Sequence, residues 1–314
     1  MTYHFIPGED LATGLGRIAA WQLARLDRLL GDDKELASGH HRTRKCVKRL
    51  RALLMLARTN LGQGCWRRLD RRLAAVGQSL SGERDQAVML DRLAKLAADL
   101  PAGVQEDSAA DIGRLLQKRH YGANGSNGTG GPAASDRARL QTDVARIGKA
   151  IGRVLRMVTH HSMIAGMAVT YRTGREAFKT AYRLDTAEAF HDLRKQVQRH
   201  GRHMQLMLLI WPEALGARVE LARRLSDLLG EDHDLALLRK ALRPLKGKAA
   251  AAALDRLCKE RQRVIRAIAR PLLQRFYAER SRALAKRIGI YWIAALASED
   301  GHERPQLGSP LQRQ

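Results

Sequence analysis

Apolar residues recur along this chain every three to four positions, and alternating runs rich in Val, Ile and Thr are nearly absent. That periodicity predicts an all-α fold. A first helix is expected over residues 11–30, ended by Gly31, Asp32 and Asp33, and a second over 35–60 with Val47, Leu50, Leu54 and Ala57 on one stripe. Gly62 and Gly64 set off a third at 65–80, Gly82 a fourth at 84–99 closed by Pro101, and a short fifth runs over 108–120. The segment YGANGSNGTGGPAAS, residues 121–135, is too rich in Gly, Asn and Ser to enter a core and reads as a flexible linker. Helices are then predicted at 136–157, 161–183, 186–210, 213–229 and 231–243, with a long run over 248–297. The expected organisation is an N-terminal helical bundle (1–120), the linker, a C-terminal bundle (136–300) and a disordered tail (301–314).

A repeat underlies these elements. HHRTRKCVKRLRALLMLA at 40–57 and HDLRKQVQRHGRHMQLMLL at 191–209 align at an offset of 150, with five of the eleven positions from 41 to 51 identical. Trp21 faces Tyr171 and Arg25 faces Arg175 at the same offset. A second block, LSGERDQAVML at 80–90, matches LGEDHDLALLR at 229–239, so that Asp85 meets Asp234. Shared order and near-constant spacing make the chain a tandem of two related helical bundles.

Charge turns the repeat into chemistry. The chain carries 56 Lys and Arg against 32 Asp and Glu, a formal +24, which calls for an acidic partner. Residues three, four and seven apart share a helix face, so His41, Arg44, Lys45, Lys48 and Arg51 form one cationic stripe. His191, Arg194, Lys195, Gln198 and Arg202 form its counterpart. A solvated face interleaves signs, yet between Arg42 and Arg72 eleven cations are accompanied by a single acid, Asp70. Aromatic residues are only 4%, which disfavours a stacking surface for single-stranded nucleic acid.

The doubled His-x-x-Arg-Lys pattern, each copy trailed by a block like LGEDHDL and the second preceded by YRTGREAF at 171–178, resembles the CHAD domain, the conserved histidine α-helical domain. The resemblance covers roughly residues 11–297. It implies two four-helix bundles related by pseudo-two-fold symmetry, with basic helices facing a shared cleft that binds inorganic polyphosphate, and association with polyphosphate granules. The polyphosphate-binding residues it implies are Arg25, His41, Arg44, Lys45, Lys48, Arg51, Arg172, Arg175, Lys179, His191, Arg194, Lys195, Arg199 and Arg202. Gln198 and Gly201 stand where the first copy has Lys48 and Arg51, so the second copy is expected to rely on Arg199 and Arg202. The Glu-x-Glu-x-Lys start of the triphosphate-tunnel domain fused to some members has no counterpart, and binding without catalysis is expected. The alternative is a sequence-independent nucleic-acid-binding protein.

A linear polyphosphate has dense charge and no bases, so affinity must come from cations and counterion release. Arg supplies forks, Lys point charges, and His41 and His191 add charge when protonated, strengthening binding in acid. No cofactor or metal is expected. His160 with His161 and His200 with His203 lack the thiolates or carboxylates that complete a metal site. Asp85 and Asp234 read as helix caps, and Trp21 and Tyr171 as core anchors. Cys46, Cys65 and Cys258 are scattered as in a reducing compartment. With no leader pattern at the start and no apolar run near 20 residues, a cytoplasmic location is expected.

Overall fold

Helix α1, Leu11–Gly31, starts where the Asp10 carboxylate accepts the Thr13 backbone N–H at 3.0 Å, and its Leu15, Ile18, Leu26 and Leu30 are buried. The computed structural model describes residues 3–61, 63–79, 95, 134–245 and 249–297, excluding the side chains of 33–41, 63, 134 and 135. The predicted helices at 84–99 and 108–120, nearly all of the linker, the Asp85 block and the tail lie outside the described residues. Among the described residues every regular element is helical.

After α1 come α2 (Asp33–Leu56), α3 (Gln63–Gln78) and α4 (Ala134–Leu155). Helix α5 (His160–Leu184) opens on a capping box, Thr159 and Ser162 each satisfying the other's backbone N–H. It stops at Asp185, which takes a left-handed conformation at φ 52°. Thr186 caps α6 (Ala187–Met207), whose last turn tightens into a 3-10 turn at Leu208–Ile210. Pro212 occupies the first turn of α7 (Pro212–Leu242), and α8 (Ala249–Phe276) and α9 (Ser281–Ala297) follow.

Helix α2 is central. It packs on α1, α3 and α4 and also on α5 and α6, while α5, α6, α7 and α8 pack each on the next and α9 returns to α5. One continuous apolar core therefore runs from Tyr3 and Phe5 through both repeats to Trp292. A smaller second core joins Leu235, Leu238 and Leu242 of α7 to Leu254, Cys258 and Ile265 of α8.

Helix α4, which follows the linker in sequence, packs on α1, α2 and α3. Two expectations change. Gly230, read as a break, lies inside the single 31-residue helix α7. Its bare backbone accommodates the Arg194 side chain, whose Nη2 lies 3.5 Å from where a Cβ would stand. The run over 248–297 is divided at 277–280, because the Phe276 carbonyl accepts the Tyr171 hydroxyl at 3.0 Å instead of continuing the helix, and Tyr277 turns into the core.

Candidate functional site

On α2, Val47, Leu50 and Leu54 turn into the core, which directs Arg44, Lys45, Lys48 and Arg49 away from it. Helix α6 obeys the same rule: Leu193, Val197 and Met204 are buried, and Arg194, Lys195, Arg199 and Arg202 lie on the other sides. The N-terminal segment joins the two helices. The Tyr3 hydroxyl donates to the Arg49 carbonyl at 3.2 Å, the Arg49 guanidinium lies 4.6 Å over the Tyr3 ring, and the Phe5 N–H donates to the Leu206 carbonyl at 2.9 Å.

The cations of the two helices feel one another. Lys45 is held below the ordinary lysine range, first by burial and then by Arg49, Arg25 and Arg202. Burial likewise lowers Arg49, with Arg25 adding repulsion. Arg202 is pushed down to about 10 by burial and by Arg49, Arg199 and Arg194, even though part of its side chain reaches solvent. Arg199 is lowered by burial, Arg51 and Arg58, with Asp70 opposing.

At the N-terminal end of α6 the imidazoles of His191 and His233 stack, ring centres 4.2 Å apart and planes at 24°. Burial leads in lowering both. Lys195, Arg194 and Lys48 add to it at His191, and His233 is brought down to about 3 with contributions from His191, Arg194, Arg44 and Lys195. Both rings are therefore neutral at pH 7 in the unliganded protein. The His191 Nδ1 is buried without a hydrogen-bond partner among the described residues.

Two acids temper this group. Asp70 holds Arg51 through two bonds, 2.7 Å to Nε and 2.8 Å from Nη2, which ties that guanidinium to α3. Asp192 pairs with Lys195 at 2.5 Å on the exposed face of α6.

The structure thus brings together Arg25, Arg44, Lys45, Lys48, His191, Arg194, Lys195, Arg199 and Arg202, with Arg51 at the margin beside Arg199 and Asp70. His41 lies on α2, with its side chain outside the described residues. Arg172 and Lys179 stand exposed on α5, and Arg175 is half-buried within reach of the Tyr171 hydroxyl; these three are not drawn into the group. Sequence reasoning missed Arg49, His233 and Tyr3. The repeat carried a signal for Arg49, which aligns with Arg199, and His233 is the fifth residue of the LGEDHDL block. Nothing in the sequence marked Tyr3.

The departure at Gly201 has a steric cause. A Cβ there would stand 2.8 Å from the Ala222 Cβ, where α6 crosses α7, so no counterpart of Arg51 fits.

Other candidates fall to the core. His203 is fully buried and donates through Nε2 to the Ala52 carbonyl at 2.9 Å, and burial holds it near 4. His200 is buried between Tyr171 and Phe276. Cys46 is buried, which raises its thiol rather than activating it. Asp234 lies in the interior of α7 and not at a helix start. Its neighbour Asp232 is the buried acid of that block, bonded by Arg266 at 2.7 Å and Gln262 at 3.2 Å to hold α8 against α7. Tyr171 is a core anchor, but Trp21 is only half-buried.

The family model for the CHAD domain matches residues 16–243, nearly three quarters of the chain. This chain belongs to the CHAD-domain family. The match spans both basic helices and ends just after α7, leaving α8 and α9 beyond it. Among solved structures the chain is similar to PptA from Streptomyces chartreusis, at 15% identity and a TM-score of 0.56 over 86% of this chain and all of that one. That likeness speaks for the fold. No curated protein matches the sequence. Among the described residues no helix is long and apolar enough to cross a membrane.

Proposed function

We propose that this CHAD protein binds inorganic polyphosphate, without turning it over, along the cations of α2 and α6. In this reading the two helices are equivalent members of two pseudo-symmetric bundles and line a basic cleft between them. The observation that carries it is repulsion between cations of two helices that the repeat makes equivalent: on top of burial, Arg49, Arg25 and Arg202 lower Lys45, and Arg49, Arg199 and Arg194 lower Arg202. Burying like charges together is costly in the empty protein and becomes favourable when a polyanion threads among them. Polyphosphate suits such a group because it is charged along its whole length, and Tyr3, the ring between α2 and α6, is already buried beneath Arg49. Such affinity supports residence in the cytoplasm at polyphosphate granules.

Competition tests the choice of ligand. Labelled long-chain polyphosphate bound to the full chain is expected to resist displacement by double-stranded DNA at equal phosphate concentration. Displacement at parity would favour the nucleic-acid reading. Incubating the bound complex with Mg²⁺ or Mn²⁺ should release no orthophosphate, and release would make the protein an enzyme.

Proton linkage gives a second expected result. His191 and His233 are depressed in the empty site, and a bound polyanion raises them. Binding therefore takes up protons, and affinity rises as pH falls from 8 toward 5.5 through the bound-state values. Calorimetry in two buffers of different ionisation enthalpy counts those protons. Substituting both histidines by Gln should flatten the profile; an unchanged slope would remove the stacked pair from the account.

A further inference from the structure

Trp21 and Tyr171 occupy equivalent places in the repeat, yet their environments differ. Tyr171 is completely buried and bonds the Phe276 carbonyl, whereas Trp21 is half-exposed and lines a cavity of about 280 Å³ with Arg25, Arg28, Leu29 and Arg42. A second cavity of about 120 Å³ adjoins it through shared walls, Arg25 and Arg42, and continues to Lys45, Cys46 and Arg49. The two form one groove between α1 and α2, with an indole and a leucine at one end, cations along its length and no carboxylate among the described residues that line it. Together they reach the lower end of the size range of small-molecule sites, about 300–1,000 Å³.

Composition along the groove specifies a ligand with two unlike ends. Arg42, Lys45 and Arg49 recur at i, i+3 and i+7, which places three cations on one face over about 10 Å of helix, enough for a di- or triphosphate. An inorganic phosphate chain gains nothing from an indole or from Leu29. A flat aromatic ring does, since stacking on such a platform is worth about 1–3 kcal/mol per base. Arg25, 5.1 Å from the Trp21 ring centre, already shows that one face of this indole accepts a cationic plane. The groove offers a single ring, so it suits one base rather than a strand whose successive bases each need a platform.

We propose that the α1–α2 groove is a binding site for nucleoside polyphosphates, with the base on Trp21 and the phosphates on Arg25, Arg28, Arg42, Lys45 and Arg49. The site goes beyond the polyphosphate surface but shares Arg25, Lys45 and Arg49 with it. A nucleotide therefore competes with a polyphosphate chain at this end only.

The test compares ATP with methyl triphosphate, which keeps the charge and lacks the base, by calorimetry on the full chain. ATP is expected to bind about tenfold more tightly, the lower range of a stacking contribution. Trp21→Leu should abolish that preference while leaving methyl triphosphate and long-chain polyphosphate affinities unchanged. Equal affinity of the two ligands for the unmodified protein would overturn the proposal, as would a preference that survives Trp21→Leu. Because the first comparison needs no variant, it stands even if Trp21→Leu folds poorly. Long-chain polyphosphate binding, measured alongside, separates failure of this site from failure of the α2–α6 reading.

Discussion

Replacing Lys45 and Lys195 together by Glu is expected to lower polyphosphate affinity by about 100-fold at about 50 mM salt. The two lysines come from different repeats. Lys45 lies within electrostatic reach of Arg25, Arg49 and Arg202, and Lys195 acts on both stacked histidines. Both are exposed on their helices, so the change removes attraction without opening the core. Each reversal deletes one favourable phosphate contact and adds one repulsion, and at low salt neither is screened. The milder pair Lys45→Gln and Lys195→Gln should reduce the slope of log affinity against log salt by about 2, one per lost contact. A salt titration of labelled polyphosphate binding measures both effects. If either lysine alone proved silent in the slope, the chain would be gripped by one repeat rather than two.

Gly166→Ala is expected to destabilise the protein by about 3 kcal/mol, by overpacking where two backbones meet. A Cβ at this position on α5 would stand 2.6 Å from the Leu56 carbonyl oxygen and 2.8 Å from the Leu56 Cα and the Met55 carbonyl oxygen. These are main-chain atoms of the last turn of α2 and cannot rotate aside as a side chain would. The helices must separate instead, which strains the bonds that tie the two repeats at this end. Thr59 donates to the Ser162 carbonyl at 3.2 Å, and Asn60 donates to the Met157 carbonyl at 2.9 Å. The melting temperature should fall by roughly 4–6 °C. Polyphosphate affinity should fall with it, because α2 carries half of the cationic group and its distance from α6 sets how many phosphates both can reach. A variant that melts within a degree of the parent would show that this crossing has slack.

How legible was this in the sequence? The stripe on α2 and its echo on α6 were visible because apolar Val47, Leu50 and Leu54, and again Leu193 and Val197, recur at helical spacing and leave the cations no other direction. Arg51 shows the limit of that inference. It lies on the same face as Lys48, yet Asp70, nineteen residues later, takes the Nε–Nη2 edge of its guanidinium. Period alone says which way a side chain leaves its helix and is silent about which acid another helix brings to meet it.

The helix boundaries that failed share one cause. Gly230 carries a real helical penalty of about 1 kcal/mol, but packing of α7 on both α6 and α8 outweighs it, and the Arg194 side chain lies alongside. Conversely, nothing local stops a helix after Phe276. The break depends on Tyr171, 105 residues earlier, capturing that carbonyl.

The sequence by itself determined an all-helical chain, a doubled basic helix and a large excess of positive charge, because these follow from composition and from spacing within one helix. Only the tertiary structure decided that the two basic helices lie within electrostatic reach of each other. It alone stacks His191 on His233, uses Tyr3 and Phe5 to bind the two repeats together, excludes a cation at Gly201 and leaves Trp21 at the surface while its repeat partner is buried. The reason is physical. Exposure, repulsion and close approach depend on which helix lies opposite, and in this chain the decisive neighbours stand from about twenty to about two hundred positions away.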